Sequence, residues 1–221
     1  MPGWLSLLLF SSIAWWLTVS LAMALAIHRL SRPERLLLGN DEGDCHPWLQ
    51  AWARSHGFQR ADCFRFAGVP GSREPVTVAL WRAPDTQCFL VGYAFRDSCR
   101  YEFITFLDQG GLLTTSAARE SLNLPLPPGQ FVQVFEGLAP EDLLAQHRLG
   151  LAFLERHLMR RPVEEVHDPQ AQLLDAMRRQ MEHVLSMPLW YLRSPWWGLT
   201  RPRRINRPLV EPPSATAGTL Q

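Results

Sequence analysis

Apolar residues dominate positions 4–27, and no charged side chain interrupts them. As a helix this run reaches about 36 Å, enough to cross a hydrocarbon core of about 30 Å with some tilt. Its serines and threonines fit that reading, because a helical hydroxyl can bond a carbonyl one turn back. Trp4, Leu8, Trp15, Trp16, Leu21 and Ile27 are the positions expected inside the span. A core helix of this length is rarely apolar on every face. A cleavable secretory signal would account for Ala24-Leu25-Ala26, but no Arg or Lys precedes the run, and the run exceeds the usual h-region of roughly 7–15 residues. Residues 1–30 are therefore read as a retained anchor. Arg29, Arg32 and Arg35 follow it directly. Basic flanks stay on the cytoplasmic side, so the N-terminus is expected outside and the folded part in the cytoplasm.

Residues 31–44 read as a polar connector. Asp44 can cap a helix over 45–56, with Pro47 in its first turn, Gly57 past its end, and Trp48, Leu49 and Trp52 on one face. Strand patterns follow at 61–66, 76–81, 87–95, 99–107, 112–115 and 130–135, and Asp108-Gln109-Gly110-Gly111 is the clearest hairpin turn. Connections this short favour antiparallel neighbours, since a parallel crossover needs a dozen or more residues. In residues 88–95 both alternating sets are apolar, and 101–107 are nearly so. Such strands are covered on both faces. The two later helices can supply one layer; the other cover is the Trp48/Trp52 helix, a partner or a ligand cavity.

Pro140-Glu141-Asp142 opens the first later helix, with Leu144, His147, Leu151, Leu154 and Leu158 as its stripe. Asp168-Pro169 caps the second, whose stripe runs Leu173, Leu174, Met177, Met181, Val184 and Leu185 until Pro188 stops it. Strands followed by helices argue an α+β class. The expected architecture is one transmembrane helix, then a mainly antiparallel sheet of about five or six strands, packed with a preceding short helix and two C-terminal helices. The soluble domain is placed at 45–187.

Residues 188–210 change character: Trp190, Trp196 and Trp197 interleave with Arg193, Arg201, Arg203 and Arg204. That mixture suits a membrane surface, where each Arg near an anionic leaflet contributes about 1 kcal/mol. Alternatively the tryptophans pack on the domain and the arginines are solvated. RNA contact through stacking is a weaker option. Residues 211–221 have the composition of a disordered tail.

Bulk properties change the picture little. The chain has 221 residues and a net charge of +1, too balanced for a general nucleic-acid binder. Its basic residues are all Arg, which reads as compositional bias. Cys45, Cys63, Cys88 and Cys99 form no C-x-x-C pair; in the cytoplasm they should be reduced, and in an exported domain they would allow three pairings.

Candidate chemistry is sparse. His147 lies on an apolar stripe, where a satisfied core histidine competes with a catalytic base. Cys45 near a helix start would have its thiolate favoured, while adjacent acids oppose it. Asp41, Glu42, Asp44, Cys45 and His46 crowd that start without a second ligand cluster, so no metal is expected, and no cofactor motif is present. The leading expectation is a non-catalytic accessory or interaction domain, held at the cytoplasmic face of a membrane and engaging a protein partner. The alternative is a domain binding an apolar small molecule or lipid. A membrane-bound hydrolase or transferase using His147 or Cys45 comes third.

Overall fold

A computed structural model describes residues 3–40, 45–67, 74–84, 87–96, 98–122, 124–200 and 205–209. Asp41, Glu42 and Asp44, the turn at 68–72, Arg201, Arg203, Arg204 and the 211–221 tail lie outside them.

The apolar run forms helix α1 (Gly3–Leu30), long and apolar enough to cross a membrane by length and composition. Its Ser12 and Thr18 hydroxyls donate to the carbonyls of Leu8 and Ala14, which keeps their polarity inside the helix. A short 3-10 turn leads into strand β1 (Leu37–Asn40). Helix α2 (Pro47–Ser55) is capped by an extended His46 and closed by Gly57 at φ +75°. Strands β2 (Gln59–Phe66), β3 (Val76–Arg82), β4 (Cys88–Ala94), β5 (Cys99–Leu107) and β6 (Gly111–Ser116) form an antiparallel meander. The β5–β6 turn uses positive φ at both Gln109 and Gly110, the geometry a tight hairpin requires.

Strand β7 (Gln130–Val134) pairs parallel with β6, completing a seven-stranded mixed sheet in the order β1 to β7. The α+β class stands, and two details differ from the expectation. The strand count is seven because residues 37–40, read as connector, add an edge strand that binds β2 through backbone bonds. The β6–β7 pair is parallel because the proline-rich segment after β6 is long enough to return the chain to the same end of the sheet.

Helices α3 (Pro140–Leu158) and α4 (Pro169–Ser186) lie on opposite faces rather than in one layer. The chain between them wraps the end of β5: Asp108 N–H donates to Arg161 at 2.8 Å, and Val163 N–H donates to Phe106 at 2.9 Å. One face packs Trp81, Leu90 and Phe103 against Leu49 and Ala53 of α2 and Leu143 of α3. The other packs Phe64, Phe89 and Ile104 against Leu173, Met181 and Val184 of α4, with Ile27 and Leu30 of α1. Both faces are thus covered, as the doubly apolar strands require. Burying each large apolar side chain contributes roughly 1.5–3 kcal/mol, so a bare face would be costly. The stripes shift slightly: Leu143 and Gly150 are buried on α3 while Leu158 is exposed, and Leu185 of α4 faces outward.

A third C-terminal helix, α5 (Trp190–Thr200), runs against α1. Beyond it Ile205 bridges Val134, and Asn206 N–H donates to the Val134 carbonyl at 2.7 Å, which covers the open edge of β7.

Candidate functional site

His147 projects from α3 into the core, 1% exposed. Its Nε2 lies 2.9 Å from the Thr105 hydroxyl and its Nδ1 lies 2.8 Å from that of Thr115. Gln133 extends the network, donating from Nε2 to Thr115 at 2.8 Å and to the Gln146 carbonyl at 2.9 Å. Burial, with the nearby Arg148 charge adding to it, holds the imidazole down at about 3. A neutral ring with one donor and one acceptor nitrogen, both engaged, is satisfied and walled off from substrate.

Cys45 precedes α2 and is buried, its Sγ 4.0 Å from the Sγ of Cys99 on β5. Gly92 makes room for this approach: a Cβ there would lie 2.9 Å from Cys45 Sγ and 2.7 Å from Leu49 Cδ2. Contact with Cys45, and then burial, pushes the Cys99 thiol up; burial alone pushes Cys88 up to about 12. These are protonated thiols at neutral pH, poor nucleophiles by that measure. None of the four cysteines is in a disulfide. Among the described residues no group of His, Cys, Asp and Glu side chains could hold a metal ion.

The site that sequence reasoning missed lies on the opposite face. Between the sheet and α4 is a cavity of about 250 Å3, just below the range of roughly 300–1,000 Å3 typical of small-molecule sites. Phe64, Phe66, Val78, Leu112, Leu173 and Met177 make its apolar wall, and Leu30 at the foot of α1 joins them. Its polar end is built by strand register. Glu102 on β5 stands directly opposite Ser116 on β6 and Val91 on β4, and Tyr93 follows Val91 on the same face. The Tyr93 hydroxyl donates to Glu102 Oε1 at 2.6 Å. Ser121 Oγ lies 3.4 Å from Glu102 Oε2 and 2.8 Å from Ser116 Oγ.

Removal from bulk water raises the Glu102 carboxyl above the usual carboxylate range, while the hydroxyls of Tyr93, Ser116 and Ser121 pull it back in part. Burial and the adjacent Glu102 push the Tyr93 phenol well up. A detectable signal existed in the sequence: Glu102 is the only charged residue in the otherwise apolar alternation of 102, 104 and 106.

The basic aromatic segment divides. Trp190 is buried in the core on the α4 side, and Trp197, one helical repeat on, stacks edge-to-face with it at 5.6 Å. Trp197 Nε1 donates to the Leu122 carbonyl at 3.0 Å. These two pack on the domain because seven residues bring them to the same side of α5. Trp196 is 64% exposed, and Arg193 is exposed beside it.

No family model, no curated protein and no solved structure matches the chain.

Proposed function

We propose that this chain is a membrane-anchored, non-catalytic domain at the cytoplasmic face that binds a small apolar or amphiphilic molecule. The observation that carries this reading is the cavity, apolar along most of its wall, acidic at one end and bordered by the foot of α1.

Anchoring is supported by α1 itself. Ser20, Ile27 and Leu30 pack on the domain, while Leu17, Leu21 and Leu25 stay exposed. Trp16 lies about 16 Å from Ile27 along the helix axis. Since Trp16 contacts Leu192, α5 lies beside the middle of the apolar helix rather than beyond its end. Leu189, Tyr191, Leu192 and Trp196 are exposed there. That apolar composition suits contact with lipid alongside α1. Arg29, Arg32 and Arg35, at and just past the C-terminal end of α1, favour the cytoplasmic side for the domain.

A second reading, an accessory domain for a protein partner, draws on Leu149 and Met159, which α3 and its left-handed cap leave in water.

The test is to purify the full chain from membranes and identify co-purified small molecules by mass spectrometry, beside a Met177→Trp variant that fills the cavity. A compound retained by the wild type and lost from the variant is expected. Identical small-molecule profiles for the two would sink the ligand-binding reading.

A further inference from the structure

We infer that the cavity selects an amphiphile with a cationic ammonium head, which pairs with Glu102 while its apolar chain lies along Phe64, Phe66 and Leu173. This rests on the ligand-binding reading above and adds the chemistry of the head.

The inference comes from charge balance at the cavity wall. Among the described residues its charged side chains are Arg100, Glu102 and Glu120. Arg100 is already engaged, 3.6 Å from Glu120 and stacked 4.9 Å from the Phe95 ring centroid. Those two charges offset each other and leave Glu102 as the surplus. Among the described residues no Arg or His is ion-paired with Glu102; its protein contacts are hydroxyls.

Tyr93 donating at 2.6 Å and Ser121 within reach at 3.4 Å give each oxygen a donor, the arrangement that suits an acceptor-only carboxylate. What those hydroxyls lack is positive charge. A carboxylate taken out of water without a counter-charge is expensive, and a ligand that brings one recovers that cost. An ammonium supplies both the charge and the hydrogen-bond donors, and charge-assisted bonds are about twice as strong as neutral ones.

The aromatic content of the same end points the same way. Tyr93 and Phe95 line it together, and ring faces attract cations. Arg100 over Phe95 already uses one ring in this manner. A carboxylate-headed ligand would meet Glu102 as a like charge. An alcohol-headed one would leave the surplus charge uncompensated.

The experiment measures binding of three probes of equal chain length, n-octylamine, n-octanol and octanoate, to the full chain in lipid nanodiscs at neutral pH. Uptake by empty nanodiscs is subtracted. Wild type should bind octylamine about tenfold or more tighter than octanol, with octanoate weakest. Glu102→Gln, nearly isosteric, should lose that preference while still binding octanol. Tyr93→Phe removes a donor but keeps the acid, and should retain the preference for octylamine. If octanol binds wild type as tightly as octylamine, or Glu102→Gln keeps the preference, the ammonium assignment is overturned and the cavity reading stands. If Met177→Trp binds all three probes as wild type does, the cavity reading falls and the assignment falls with it.

Discussion

Trp16 of α1 donates its indole N–H to the Leu192 carbonyl of α5 at 3.0 Å, tying the apolar helix to the far end of the chain. The apolar helix and the domain are therefore not joined by a slack tether; the last helix folds back and grips the first. Leu192 precedes Arg193, whose side chain is exposed. Trp16→Phe keeps the apolar bulk and removes about 1 kcal/mol of hydrogen bonding. Transient release of α5 should then rise about fivefold, read as faster trypsin cleavage after Arg193 in the detergent-solubilised full chain. An unchanged cleavage rate would mean that the bond does not hold α5 in place.

Cys45 and Cys99 are separated by 4.0 Å between sulfurs, against about 2.05 Å in a disulfide, so a small movement closes the bond. Mild oxidation with diamide should link this pair and leave Cys63 and Cys88 as thiols, as judged by peptide mapping. Reaction should be slow, because both contact and burial keep Cys99 protonated. Gly92→Ala should destabilise the fold by roughly 1–3 kcal/mol, since the new methyl meets Leu49 and Cys45 well inside contact distance. Recovery of a bond involving Cys63 or Cys88 would contradict this geometry. So would a Gly92→Ala variant as stable as wild type.

His147 sets an acid limit on stability. Folded, its imidazole is held down at about 3, whereas an unfolded histidine titrates near its ordinary value of about 6.5. The unfolded chain takes up a proton that the folded one refuses. Stability is thus fully present above about 6.5 and is lost as pH falls toward 3, at up to about 1.4 kcal/mol per pH unit. His147→Gln, which keeps polar contact with Thr105 and Thr115, should flatten this slope between pH 7 and pH 5 in urea unfolding. A slope equal to that of wild type would assign the acid sensitivity elsewhere.

Glu102 works in the opposite direction. Its folded carboxyl is raised, so the stability it contributes is present below the unfolded carboxylate range and is lost as pH rises through the folded value. At neutral pH without ligand, Glu102→Gln should therefore be more stable than wild type, with the difference vanishing below about pH 4. A Gln variant less stable than wild type at neutral pH would show that the ionised acid is already compensated by the protein.

The sequence by itself determined the elements whose information is local. The uninterrupted apolar run makes α1, the Asp168-Pro169 cap starts α4 with Asp168 accepting from Ala171 N–H at 2.8 Å, and the double-sided strands 88–94 and 99–107 demand cover on both faces. Periodicity, caps and turns are written in neighbouring residues, so they could be read there. Only the tertiary structure decided which helix covers which face, that β7 returns parallel to β6, and that Trp190 turns inward while Trp196 faces out. It alone brought Glu102 to Tyr93 and Ser121, and Cys45 to Cys99. These are contacts between residues distant along the chain, set by strand register and by the route of the segment between α3 and α4. No local pattern encodes either, because both depend on how the finished surfaces fit.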